Sequence, residues 1–215
     1  MKRTIITWFT VLVASLSLQA QQNSADQERK QYFVFGPKIG LSVPNQNAVT
    51  NTVAMDNLLN GFNTGIQVGG YMRGMIPIRN IVVLYAQLDA LYATDLYWGK
   101  GDRASSGCFN FPLTIGAGYK FKNGILLRGG GGPTYTINMY QTANTAYKGT
   151  SNSYQKKVAY LLRRDPWGFA IDLGADYKNW AIDLRFMNQF RSLPVARIAD
   201  EKRYVSWGVT LGYKF

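Results

Sequence analysis

The closing stretch, Tyr204-Val205-Ser206-Trp207-Gly208-Val209-Thr210-Leu211-Gly212-Tyr213-Lys214-Phe215, decides the reading of this chain. Its odd positions are Val205, Trp207, Val209, Leu211, Tyr213 and Phe215, all apolar or aromatic. Its even positions are Tyr204, Ser206, Gly208, Thr210, Gly212 and Lys214, mostly small or polar. Side chains of a strand alternate with period two, so one face of this segment suits lipid and the other a polar interior. The segment is also long enough to cross a bilayer as a tilted strand.

Seven earlier segments repeat the pattern. In 33–43, Phe33, Phe35, Pro37, Ile39, Leu41 and Val43 share a face. In 62–76, Phe62, Ile66, Val68 and Met72 align, and in 81–93, Val82, Leu84, Ala86, Leu88 and Tyr92 oppose Gln87 and Asp89. In 108–121, Phe109, Phe111, Leu113, Ile115, Tyr119 and Phe121 align. In 125–137, Ile125, Leu127 and Tyr135 oppose Arg128, Thr134 and Thr136. In 166–177, Trp167, Phe169, Ile171, Leu173 and Tyr177 oppose Asp172 and Asp176. In 180–190, Trp180, Ile182, Leu184 and Phe186 oppose Asp183 and Arg185. One alternating segment carries little weight; eight of consistent parity predict eight strands. The same spacing on a helix would wrap apolar residues around every side.

The connections alternate in length. Segments 44–60, 94–107, 138–165 and 191–202 are long, whereas 77–80, 122–124 and 178–179 are short. Outer-membrane barrels have short periplasmic turns and longer external loops, and an even strand count leaves both chain ends on the periplasmic side. Asn-Gly at 123–124 and Lys-Asn at 178–179 suit tight turns, since Asn and Gly tolerate positive φ. The expected fold is therefore all-β: an eight-stranded antiparallel up-and-down transmembrane β-barrel. A soluble lipocalin-like barrel is the rival, with its apolar face turned inward. Aromatics near strand ends and a small-residue opposite face favour the membrane form.

The 215-residue length suits one domain. Residues 1–20 read as a secretory signal, with Lys2 and Arg3 before a mostly apolar run too short for a membrane helix. Gln21 follows the expected cut, so lipid attachment to a cysteine there is not expected. Residues 21–31 read as a polar periplasmic leader, and 32–215 as the barrel. Hydrophobic residues make up 47% of the chain, but no later stretch approaches a helical span. In lipid only helices and closed barrels satisfy the backbone.

Histidine is absent and Cys108 is the single cysteine. Catalytic triads and most metal sites lean on imidazole, and one cysteine makes no internal disulfide. No enzyme activity and no cofactor are expected. Cys108 reads as a packing residue. The run Gly129-Gly130-Gly131-Gly132 lacks the Gly-Lys-Ser/Thr ending of a phosphate loop and reads as a place of curvature or close packing.

The formal charge is +12, or +10 once Lys2 and Arg3 are removed. Such a balance suits an anionic partner; for an exported barrel this is outer-membrane lipid and lipopolysaccharide rather than nucleic acid.

Parity places Lys38, Arg73, Asp89, Lys120, Arg128, Asp172, Asp176, Asp183 and Arg185 in the lumen, with Gln67 and Gln87. An unpaired charge in a narrow interior is costly, so these groups are expected to form a salt-bridged plug; a narrow ion path is the alternative. Asp172 and Asp183 could suggest acid–base work, but pairing with Arg128 or Arg185 is the expected fate. The longest connection, 138–165, carries Tyr140, Tyr147 and Tyr154 with Lys148, Lys156 and Lys157, a mixture suited to contact with anionic sugars, glycolipid or protein.

The leader, the eight alternating segments, the opening Phe35-Gly36-Pro37-Lys38-Ile39-Gly40-Leu41 and the closing Gly208–Phe215 together resemble the small outer-membrane β-barrel proteins of Bacteroidetes-type bacteria, the PorT-like or porin-like barrel family. The resemblance spans nearly the whole mature chain and implies architecture more than function. It implies that Val209, Leu211, Tyr213 and Phe215 form the terminal signal read by the barrel assembly machinery. A secretion role is known in that family and makes an accessory envelope-protein partner conceivable. The expected role is structural, adhesive or accessory, exercised through the external loops. A porin-like channel and a secretion-machine component are the alternatives.

Overall fold

The computed structural model describes residues 33–48, 62–79, 81–98, 103–144, 166–189 and 202–215. The expected signal, the leader, and Tyr147, Lys148, Tyr154, Lys156 and Lys157 lie outside the described residues.

Eight strands form: β1 (Phe33–Ala48), β2 (Phe62–Arg79), β3 (Val82–Trp98), β4 (Arg103–Lys120), β5 (Leu126–Asn144), β6 (Trp167–Tyr177), β7 (Trp180–Gln189) and β8 (Lys202–Tyr213). Each pairs antiparallel with its sequence neighbour, and β8 pairs back on β1, as in Ile39 opposite Leu211, so the sheet closes without an edge. Every expected strand is present, as is the up-and-down topology.

Several strands run past their expected ends, mostly at the end bearing the long connections, although β2 also continues to Arg79 at the short-turn end. Residues 94–98 and 103–107, expected in a loop, belong to β3 and β4, which stay in register up to Trp98 opposite Arg103. Alternation persists there: Asp95 and Tyr97 are buried while Trp98 is exposed. Likewise β5 continues to Asn144, so Tyr140 stands on a strand rather than at the start of a loop. A shift of register between Gly107 and Cys108 lets β4 follow β5 along this extension.

The interior is polar and the exterior apolar, the reverse of a soluble protein. Arg73, Asp89 and Asp183 are 0% exposed, whereas Leu41 is 62% and Ile115 63% exposed. Parity makes this inversion: Asp172 and Asp176 point in from β6 while Ile171 and Leu173 point out. Such a surface is stable only against hydrocarbon.

Two aromatic belts bound the apolar band. At the short-turn end Phe35 meets Phe215 at 5.7 Å, Tyr119 meets Phe121 at 4.9 Å and Trp180 meets Tyr213 edge-on at 5.2 Å. At the other end Tyr135 meets Trp167 at 4.8 Å, Tyr92 meets Phe109 at 5.1 Å and Phe186 meets Trp207 at 4.8 Å. Trp167 and Tyr177 close the two ends of β6, which has 11 residues. At about 3.3 Å per residue and a tilt of about 40°, they stand roughly 25 Å apart along the membrane normal, the height of a barrel's lipid-facing band.

The short turns show which residues bend the chain. In the β4–β5 turn Gly124 takes φ 84° and the Ile125 amide donates to Asn123 Oδ1 at 3.2 Å. In the β6–β7 turn the positive φ falls on Lys178, at 50°, and not on Asn179. Asn179 instead accepts the Lys214 amide on its carbonyl at 2.7 Å, tying the turn to the end of the chain.

Candidate functional site

The lumen holds one alternating chain of charges. Arg73 Nη1 donates to Asp176 Oδ2 at 2.5 Å, and Arg128 Nη2 reaches Asp176 Oδ1 at 2.7 Å. Arg128 Nη2 also reaches Asp183 Oδ1 at 2.6 Å. Lys38 Nζ bridges Asp183 Oδ2 at 2.5 Å and Asp89 Oδ1 at 2.8 Å. Arg185 contacts Asp89 through Nη2 and Asp172 through Nε at 2.6 Å. In order the chain reads Arg73, Asp176, Arg128, Asp183, Lys38, Asp89, Arg185, Asp172, with the sign changing at every step.

These eight residues come from six strands, and Thr114 adds a seventh through its hydroxyl, which donates to Asp172 Oδ2 at 2.9 Å. Their four positive and four negative charges cancel. Pairing offsets the desolvation that would otherwise expel them from a dry interior. Gln87 completes the shell, accepting from Arg73 Nε at 2.7 Å and donating to Asp89 Oδ2 at 3.0 Å. Asp172 and Asp183, weighed above for acid–base work, are each occupied as acceptors for cations, an arrangement that holds a carboxylate in place rather than presenting it to a substrate.

Lys120 does not join the others. It ends β4 as the last residue paired with β5, opposite Leu126, and is exposed; at the rim of the wall inward parity no longer encloses a side chain. Lys214 takes the rim position, with Nζ 3.5 Å from Asp176 Oδ2.

Two tyrosines escaped the sequence reading. The Tyr71 ring lies 4.6 Å from Lys38 Nζ and 5.3 Å from the Arg73 guanidinium; the Tyr85 ring lies 5.7 Å from that of Arg128 and 5.9 Å from that of Arg73. These faces attract the same cations that the carboxylates hold. Their inward parity with Arg73 and Gln87 was the available signal, but an aromatic residue in a barrel strand reads first as a lipid-facing one.

Toward the long-connection end the described lumen side chains are mostly uncharged, apart from the buried Asp95. Thr136 Oγ1 donates to Asn110 Oδ1 at 3.0 Å, Gln189 Nε2 donates to Thr136 Oγ1 at 2.9 Å, and Cys108 Sγ lies 3.7 Å from Asn110 Oδ1. Tyr204 Oη reaches Asp95 Oδ2 at 3.3 Å. Of the external-contact residues, Tyr140 is exposed on β5. Of the terminal-signal residues, Val209, Leu211 and Phe215 are exposed on the outer wall, and the Phe215 amide donates to Phe35 carbonyl at 2.9 Å.

The inverted burial, the closed register and the two belts define an integral membrane β-barrel. No protein-family model matches the chain, and no curated protein matches it. Among solved structures, the attachment invasion locus protein Ail of Yersinia pestis aligns over 85% of this chain and 98% of its own, at 11% identity and a TM-score of 0.39. Ail in complex with the heparin analogue sucrose octasulfate aligns over 85% and 99%, at 10% identity and a TM-score of 0.40. The translocator domain of the autotransporter NalP from Neisseria meningitidis covers 99% of both chains, at 9% identity and a TM-score of 0.20. The fold assignment rests on register and burial, not on these likenesses.

Proposed function

We propose that this protein is a non-enzymatic outer-membrane barrel that acts through its external connections, in a structural, adhesive or accessory role. One observation carries the reading: the side chains of Lys38, Asp89 and Asp183 are fully buried. An ion crossing that level would have to break the charge chain, so the interior is suited to rigidity and not to transport. What remains to meet the outside world is the long-connection end, where β3, β4 and β5 continue past the aromatic belt.

An outer membrane suits the roughly 25 Å apolar band. In this reading the short turns lie in the periplasm, the segment 1–20 directs export, and Val209, Leu211, Tyr213 and Phe215 engage the assembly machinery. The partners are membrane lipid and lipopolysaccharide, attracted by the positive chain, and an envelope or surface protein met by the loop around 145–165. A PorT-like secretion accessory is one form this role could take.

The test is gel mobility of the outer-membrane fraction with and without boiling, beside protease treatment of whole cells. A heat-dependent shift with cleavage between 145 and 165 supports the reading. A soluble periplasmic protein without the shift overturns it.

A further inference from the structure

The four-glycine run is not absorbed by the lumen. Gly129 and Gly131 share the outward parity of β5. Gly129 stands opposite Ala117 of β4 and Leu173 of β6, and Gly131 opposite Ile115 and Ile171. On this side of the barrel the wall therefore lacks side chains where its neighbours carry large ones. Around Gly129 lies an apolar groove of about 740 Å³ on the lipid-facing surface, lined by Ala117, Tyr119, Leu127, Gly129, Leu173 and Ala175 among others.

The groove lies near the short-turn end, and what stands at that end is charged. Lys120 follows Tyr119 directly, Lys122 sits in the β4–β5 turn, and Lys178 sits in the β6–β7 turn three residues beyond Ala175; all three are exposed. The acids of these segments, Asp176 and Asp183, are buried and held by lumen cations. Lys178 Nζ also lies over the Tyr177 ring at 5.4 Å. An apolar trough running to a rim of lysines, with no exposed Asp or Glu side chain beside it among the described residues, complements a molecule with a hydrocarbon chain and an anionic head.

We propose that this groove is a binding site for an anionic phospholipid of the leaflet at the short-turn end. One acyl chain lies along Ala117, Gly129 and Ala175, where it gains wall contacts on its flanks that a smooth barrel does not offer. The phosphate-bearing head rests against Lys120, Lys122 and Lys178. Near a membrane surface each lysine strengthens the attraction to anionic lipid about fivefold. The site rests on the membrane-spanning fold and holds whatever partner the loops engage.

Native mass spectrometry of the purified barrel, titrated with phosphatidylglycerol or phosphatidylcholine, tests this. The native chain is expected to retain phosphatidylglycerol at least tenfold more strongly. The triple variant Lys120→Gln, Lys122→Gln, Lys178→Gln is expected to lose that preference while still binding either lipid weakly. Ala117→Leu, which fills the groove from the lipid side, is expected to lose bound lipid of both kinds. The heat-dependent gel shift of each variant certifies its folding. Equal retention of the two lipids by the native chain overturns the proposal, as does unchanged phosphatidylglycerol binding in correctly folded variants. A dimer of the native chain that Ala117→Leu dissociates also overturns it, assigning the groove to a second copy.

Discussion

Lys38 of β1 and Asp183 of β7 pair at 2.5 Å even though β8 stands between their strands. They meet over small neighbours: Gly212 is opposite Lys38 and Thr210 is opposite Asp183. A methyl group on Gly212 would come within 3.2 Å of the Lys38 side chain and 3.1 Å of the Tyr71 ring. The glycine in the closing segment therefore leaves room for a cross-lumen ion pair that joins the first and last parts of the barrel.

Asp183 sits inside the charge chain and Asp172 at its end. Asp183→Asn is expected to cost about 3–5 kcal/mol, because Lys38 and Arg128 each lose a buried partner at once. Asp172→Asn is expected to cost less, since Arg185 keeps Asp89. Urea unfolding of the two variants in matched lipid vesicles checks the order. Equal destabilisation would show that position in the chain is irrelevant.

The two described turns place positive φ on different residue types. Gly124→Ala is expected to destabilise the barrel by about 1–2 kcal/mol, the cost of a left-handed conformation for a residue with Cβ. Lys178→Gly is expected to act oppositely and more weakly, by about 0.5–1 kcal/mol, because the strain relieved is partly offset by the greater freedom of glycine in the unfolded chain. Unfolding midpoints of the pair measure both signs in one experiment.

Cys108 is only 2% exposed and lies on the lumen side of β4. A maleimide is expected to label it slowly in the folded barrel and fully once urea opens the wall. As the single cysteine of the chain it reports the lumen without further substitution. Rapid labelling of the folded protein would mean that solvent enters this level freely.

The lumen and the strands were legible in the sequence to different depths. Period-two parity carries every strand and assigns Lys38, Asp89, Arg128 and Arg185 to the interior, because alternation is a property of the backbone and needs no knowledge of neighbours. It failed at Lys120, where the strand pair ends and parity no longer implies enclosure. It was silent on Tyr71 and Tyr85, whose chemistry suits either face. It also ended β3 at Ala93 and began β4 at Cys108, since Asp95, Ser105 and Ser106 resemble loop residues by composition. Only the pairing of the two strands, with Ser105 Oγ 2.7 Å from Thr142 Oγ1 on the next, makes them part of the wall. Arg128 and Arg185 were expected as partners of Asp172 and Asp183 and are found there, but the rest of the charge chain lay beyond reach, because groups such as Arg73 and Asp176 are 103 positions apart and meet only when the barrel closes.

The sealed lumen is tested most directly by conductance of the refolded protein in a planar lipid bilayer. The expected record is flat, with no stable current steps on either side of zero potential, while the same sample shows the heat-dependent gel shift of a folded barrel. Steady, voltage-sustained steps from that folded sample would contradict a lumen closed by Arg73, Asp176, Arg128, Asp183, Lys38, Asp89, Arg185 and Asp172, and would make the protein a channel.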